Sequence, residues 1–320
     1  MVGHFAYLTR SSMDGILFSY PNFAVQAFFV LSGYLIYGSF CTLPQLVPYF
    51  VRRACRIYPL YVVVVFVQAA GMIALLPDSV LNHAIEVARH LIVNLAFANF
   101  LSHDIGSLTA VLREPEINPS MWTLKVEVGF YIILPFLQYL VRRFGIWTML
   151  VIFVLSSIYS VVLTEHGSVQ LEHQLPGQLR FFAVGIALYH FRDQIKLSPS
   201  LATALALAFF AVVTFGNSWL TPVLHPLTVG AVVFLFGQRM PAVVLKRDIS
   251  YGVYLIHGPV IQLGLLLDWI HASYLGLIVV CLLVYGLALL AARFVEIPAI
   301  AFGKRVSRIF TDKAGSLRAA

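Results

Sequence analysis

Glu127 stands at the head of an apolar run that continues through Ile132, Leu134, Phe136 and Leu140. A carboxylate in such a setting is either neutral or paired, because an unpaired charge in hydrocarbon costs several kcal/mol. Lys125 lies two residues away, which on a helix turns it to another face, so the partner is expected from another part of the chain. A second group with chemical reach is Arg52, Arg53 and Arg56, just before an apolar stretch that opens at Ile57-Tyr58-Pro59. Guanidinium forks suit phosphates, whereas the plainer role for such a cluster is to hold a loop on the cytoplasmic side. Arg56 is the hardest to dismiss in that way, because Pro59 fits a first-turn position and leaves Arg56 beside the helix cap. His83, Glu86 and His90 share a helical face, but their spacing is not a recognised metal motif and an amphipathic outer segment explains it. No metal is expected.

These groups have to be positioned by an unusually apolar chain. Of 320 residues 60% are hydrophobic and 11% charged, against about 25% charged in soluble domains. The composition is that of a polytopic membrane protein. The net charge of +7 therefore points to basic loops facing anionic lipid, and no nucleic acid partner is expected. Cys41, Cys55 and Cys281 are isolated from one another and imply neither a disulfide framework nor a metal site. No cleavable signal peptide is evident at Met1–Leu8.

Apolar spans fall at about 23–41, 57–76, 86–101, 126–141, 146–164, 179–191, 201–216, 222–237, 249–267 and 274–295. The expected fold is all-α, a transmembrane bundle of nine or ten such segments. Basic residues set its orientation: Arg52, Arg53 and Arg56; Arg142 and Arg143; Arg192 and Lys196; Arg239, Lys246 and Arg247; and Lys304, Arg305, Arg308, Lys313 and Arg318. All can be cytoplasmic together only if one span between Arg56 and Arg142 fails to cross. Segment 86–101 is short and carries Glu86, Arg89, His90, Asn94 and Asn99, so it is expected to be re-entrant or to lie at the outer surface. Residues 1–22 then begin outside, which predicts that the first helix is truncated and that Met1–Leu8 is its outer stub. The expected organisation is one membrane domain over 1–301 and a basic cytoplasmic tail over 302–320.

Four stretches, taken in order, resemble the membrane-bound acyltransferase-3 family. They are Phe28-Phe-Val-Leu-Ser-Gly-Tyr-Leu-Ile36, Arg52-Arg-Ala-Cys-Arg-Ile-Tyr-Pro59, Trp122-Thr-Leu-Lys-Val-Glu-Val-Gly-Phe-Tyr131 and Ser250-Tyr-Gly-Val-Tyr-Leu-Ile-His-Gly-Pro259, with a weaker fifth at Arg293-Phe-Val-Glu-Ile-Pro298. The resemblance implies transfer of an acyl group, usually acetyl, from cytoplasmic acyl-CoA to an extracytoplasmic glycan. It also implies a bacterial plasma (inner) membrane setting with membrane lipid as the surrounding partner. In that family the first helix carries an arginine and, about ten residues later, a histidine. His4 matches the histidine, and the arginine would fall before Met1.

The resemblance changes how single residues weigh. His4, a terminal histidine without a role on the residues alone, becomes the candidate general base, since imidazole titrates near neutrality. Glu127 becomes the acid that orients and charge-stabilises that histidine, with a structural ion pair as the plainer reading. Arg52, Arg53 and Arg56 become ligands of the CoA phosphates. Trp122 and Tyr131 are most simply interfacial and core aromatics, with sugar contact as the alternative. His257, before the helix-kinking Gly258-Pro259, is a further substrate-contact candidate. Ser32 and Gly33 are expected to let helices approach closely, and Arg293 with Glu296 to form a local ion pair. The competing functions are a transporter of a lipid-linked or small polar substrate and an inactive, truncated relative.

Overall fold

The computed structural model describes all residues except 11–20, 76–83, 103, 196–197, 218, 240–247 and 320. His83, His103, Lys196, Lys246 and Arg247 lie outside the described residues. The described elements are helical: α1 (Val2–Thr9), α2 (Pro21–Thr42), α3 (Leu46–Leu75), α4 (Ala84–Leu95), α5 (Met121–Phe144), α6 (Trp147–Glu165), α7 (Leu175–His190), α8 (Pro199–Phe215), α9 (Thr221–Arg239), α10 (Ser250–Leu266), α11 (Tyr274–Ala291) and α12 (Ile297–Ala319). Among the described residues six stretches are long and apolar enough to cross a membrane: Asn22–Thr42, Leu46–Leu75, Met121–Phe144, Trp147–Glu165, Thr221–Gln238 and Tyr274–Thr311. The apolar helices α7, α8 and α10 are shorter, at 16, 17 and 17 residues. The protein is an integral membrane helix bundle. Its helices fall into two compact units, Met1–Pro21 with Leu46–Lys125 and Leu245–Ala320, and Asn22–Gln45 with Val126–Val244.

In the first unit α3 begins eleven residues before its expected start at Ile57, so Arg52, Arg53 and Arg56 lie within a helix and Pro59 is internal to it. This corrects the placing of the arginines in a loop beside a cap. The reason is tertiary packing. Three arginines interrupt the apolar pattern of residues 46–56, yet one face of this stretch packs on α12. A Cβ at Gly303 would lie 2.7 Å from that of Cys55, and Arg52 Nε donates to the buried Ser307 Oγ at 2.7 Å. The two helices therefore meet nearly backbone to backbone. Five residues joining α11 to α12, Ala292–Glu296, form a π-helical turn. The wider turn breaks the i, i+3 spacing expected to join Arg293 and Glu296, and among the described residues Glu296 pairs with Arg56 instead, at 3.6 Å.

Helix α4 occupies most of the segment expected not to cross. Twelve residues rise about 18 Å, against the roughly 30 Å of a bilayer core. It buries Val87, His90 and Asn94. Its end is tied down because Asn94 Nδ2 donates to the Ser102 carbonyl at 2.9 Å and Tyr61 donates to the Asn94 carbonyl at 2.8 Å. Burial lowers the affinity of the His90 imidazole for a proton, against the pull of the Asp104 carbonyl that it bonds.

The second unit is built on a close helix crossing. Cβ atoms added at Gly33 and Gly185 would overlap the Phe182 and Val30 carbonyl oxygens respectively, so α2 and α7 can pack only with hydrogen at both positions. This is the packing expected of Ser32-Gly33. Aromatic side chains close the crossing. Phe182 stacks on Phe130 of α5 with centroids 3.9 Å apart and lies 5.0 Å from Phe29. The sequence reading gave no weight to Arg180 or Glu172. Arg180 is 6% exposed and meets Glu172 at 2.5 Å, and Ser160 Oγ donates to the same carboxylate at 3.0 Å. Such a pair stands in apolar surroundings because each charge satisfies the other.

Candidate functional site

The chemistry-bearing residues of the first unit converge on α10. Helix α1 is pinned against it by Phe5 and Leu8, which pack with Ile261, Ile270, Val280 and Val284. Its last carbonyls are capped from the connecting segment, Arg113 Nη1 donating to the Thr9 oxygen at 3.0 Å. That fixes His4, whose Nδ1 lies 2.7 Å from His257 Nε2. The ring centroids are 4.9 Å apart and the planes differ by 16°. Taking one ring radius at each end accounts for the rest of that separation, so the two nitrogens face each other along the line of centres. The contact is an in-plane hydrogen bond between imidazoles, not a face-to-face stack.

His257 is fully buried, and its Nδ1 lies 3.0 Å from the Val253 carbonyl one turn back. The segment 118–123 frames it from the other side. Pro259 has no N–H, so the Leu255 carbonyl lacks its helical donor. Asn118 Nδ2 supplies one at 2.8 Å. The Asn118 Oδ1 accepts the Ser120 backbone N–H at 3.1 Å, which closes a turn at the head of α5. Gly258 lets this turn approach: a Cβ there would lie 2.9 Å from Asn118 Oδ1 and 3.1 Å from Pro119 Cδ. Tyr254 and Thr123 hydroxyls meet at 2.6 Å, and Ser120 Oγ comes within 3.5 Å of His257 Nε2.

Asn118 is the residue of this frame with the clearest consequence. Replacing it by alanine leaves a buried carbonyl with no donor, at a cost of about 1–3 kcal/mol. Thermal unfolding in detergent should show a lowered Tm for Asn118→Ala, and an unchanged Tm would mean that the Leu255 carbonyl is satisfied some other way.

At the other end of α10, Arg56 Nη2 reaches Asp248 at 2.5 Å and Arg56 Nη1 faces Glu296 at 3.6 Å. Burial alone would raise the Asp248 carboxyl, but hydrogen bonds from Ser250 and the Arg56 charge outweigh it and hold it below its ordinary value. A lowered carboxylate contributes stability above its unfolded value and loses it as pH falls through its folded one. The clamp is therefore intact at neutral pH and opens only in acid. Arg53 lies over the Tyr49 ring at 5.8 Å. Among the sequence candidates, then, His4 and His257 come together, and Arg56 meets Glu296 together with Asp248, which the sequence does not single out. Trp122 is half-buried in the first turn of α5.

Glu127 and Tyr131 belong to the second unit. Glu127 is 6% exposed and accepts a hydrogen bond from the Tyr131 hydroxyl, one turn further along α5. Tyr131 is one partner of Glu127 and comes from the same helix face. The residues the sequence reading missed are Asn118, Ser120, Thr123 and Asp248. Only Pro259, which leaves a carbonyl to be satisfied, signalled that a side chain such as Asn118 was needed.

Comparison with known proteins bears on this geometry. A family profile described as an acyltransferase domain, Acyl_transf_3, matches residues 2–293. Nodulation protein 10 of Rhizobium leguminosarum bv. viciae is 26% identical over 89% of this chain and 83% of its own length. An O-acetyl transferase of Shigella phage Sf6 is 26% identical over 84% of this chain and 82% of its own length. No solved structure matches the chain significantly.

Proposed function

Because the chain belongs to the acyltransferase-3 family and is thereby an O-acyltransferase, we propose that it transfers an acetyl group from cytoplasmic acetyl-CoA to a hydroxyl of an extracytoplasmic carbohydrate. The observation that carries the reading is the imidazole pair, half-buried His4 on fully buried His257 at 2.7 Å, set in a helix bundle. An apolar bundle needs no such pair for packing. A hydroxyl attacking a thioester needs a base that stands unprotonated at neutral pH, and burial, which lowers the His4 imidazole to about 4, keeps it so.

In the proposed reaction the acceptor oxygen bonds to the thioester carbonyl carbon while its proton passes to His4. The carbon–sulfur bond then breaks, the CoA sulfur takes that proton, and the acetyl ester remains on the carbohydrate. Arg52 and Arg53 are the proposed ligands of the CoA phosphates, with Arg56 as the third. Arg56 already carries two carboxylates, so a phosphate there competes with the exposed Asp248 while the buried Glu296 keeps the guanidinium in place. Trp122, Tyr131 and His257 were the substrate-contact candidates of the sequence. Of these Trp122 remains the natural stacking surface for a sugar ring, whereas Tyr131 serves Glu127 and His257 serves His4. The setting is taken to be a bacterial inner membrane with the arginines and the C-terminal helix inside.

The test uses membranes containing the protein and acetyl-labelled acetyl-CoA. Label passing to a glycan or to water supports the enzyme; label that stays on CoA while vesicles take up a glycan supports a transporter. Glu127→Gln keeps a hydrogen-bond acceptor for Tyr131 and removes the charge. A loss of transfer by roughly tenfold or more in that variant would fit an electrostatic role. Wild-type transfer would leave Glu127 a packing residue.

A further inference from the structure

Resting on that reading, we propose that His257 is a positioning residue that selects the tautomer of His4 and thereby makes His4 Nε2 the base. The assignment follows from what each atom can donate. A carbonyl oxygen only accepts, so the 3.0 Å contact with Val253 places a proton on His257 Nδ1. A neutral His257 then carries its lone pair on Nε2. The 2.7 Å contact with His4 Nδ1 requires that the shared proton come from His4. With its proton committed to Nδ1, His4 holds its remaining lone pair on Nε2, on the side of the ring away from His257. Free imidazole side chains favour the opposite tautomer, with the proton on Nε2, which cannot act as a base at that atom. A second proton on His257 would sit on Nε2 and reverse the contact with His4, leaving the bond to Val253 as it is. That would place a charge in a fully buried residue whose described hydrogen-bond partners are a carbonyl, a hydroxyl and another imidazole, none of them anionic.

The frame around His257 serves this selection. Val253 accepts from a ring held in one orientation because the 118–120 turn abuts α10 at Gly258 and ties the Leu255 carbonyl, in the same turn of helix. Ser120 Oγ, 3.5 Å from His257 Nε2, offers a second donor to the same lone pair. During transfer the acceptor hydroxyl gives its proton to His4 Nε2. The imidazolium so formed keeps its Nδ1–H on His257, and that bond strengthens because its donor is now charged. When the CoA sulfur takes the Nε2 proton as the carbon–sulfur bond breaks, His4 returns to the starting tautomer. His257 keeps its own proton throughout. A neutral imidazole here does the orienting part of what a carboxylate does in a hydrolase triad, without placing a negative charge in the bilayer.

The experiment compares His257→Gln, His257→Met and His257→Lys with the wild type and with His4→Ala. Each is purified in detergent and assayed with acetyl-CoA for kcat, KM and Tm. Gln offers an oxygen that accepts from His4 Nδ1, Met offers bulk without a useful acceptor, and Lys offers only donors. The expected result is a kcat about 10²-fold lower for Met and Lys, with KM for acetyl-CoA changed by less than about threefold, and Gln within about tenfold of wild type. Equal activity in Gln and Met, whether high or low, would overturn the positioning role, because a packing position responds to bulk and not to the direction of a hydrogen bond. If His4→Ala itself retains wild-type transfer, the base assignment falls whatever the His257 series shows. If His4→Ala is dead while Gln and Met match, the base stands and the tautomer selection fails.

Discussion

His4→Ala is expected to lower acetyl transfer by about 10²–10⁴-fold, the usual contribution of a positioned general base, while the protein still accumulates in membranes. Both halves of the expectation come from the structure. The packing of α1 on α10 and α11 is carried by Phe5 and Leu8, which are fully or almost fully buried, whereas His4 is only half-buried. Removing its ring leaves those contacts in place. The hydrogen bond lost is the one to His257, and the Ser120 hydroxyl at 3.5 Å stands close enough to take over the vacated lone pair. The loss therefore falls on kcat, with little change in Tm. Labelled acetyl transfer and thermal unfolding measured on one preparation separate the two, and a variant with wild-type turnover would remove His4 from the chemistry.

Much of this was legible in the sequence. An apolar composition with few charges dictates helices in a membrane, because only helices and closed barrels satisfy the backbone there. Glu127 is visible as a residue type out of place in hydrocarbon, whereas His4 and the arginines take their roles from the family resemblance. What could not be seen was who meets whom. His4 and His257 are 253 residues apart, and no local pattern links them. The missing donor at Leu255 was implicit in Pro259, yet nothing in the sequence said that Asn118 would supply it. The first eleven residues of α3 escaped for a different reason: the arginines break the apolar run, and the face that packs on α12 is held by a glycine contact and a serine, which a pattern scanned for apolar runs does not register. The π turn at Ala292–Glu296 likewise has no signature of its own, so the partner of Glu296 was misassigned.

The second large effect is expected from a single methyl group. Gly185→Ala should destabilise the second unit by about 3 kcal/mol, the upper end of what overpacking usually costs, and enough to lower accumulation in the membrane severalfold. The added Cβ would overlap the Val30 carbonyl oxygen and come within 2.8 Å of the Tyr34 nitrogen. These are backbone atoms of α2, so no side chain can rotate aside. The helices must separate, and separation loosens the packing of Phe29 and Phe182, both fully buried at the crossing. Gly286→Ala is the matched control. Nothing lies within 4 Å of a Cβ at that position, so the same substitution should be neutral or slightly stabilising there, by up to about 1 kcal/mol from helix propensity alone. Tm in detergent for the two variants reads the difference directly. If both behave alike, the approach of α2 to α7 is looser than the structure has it, and the small residues at Ser32-Gly33 lose their explanation.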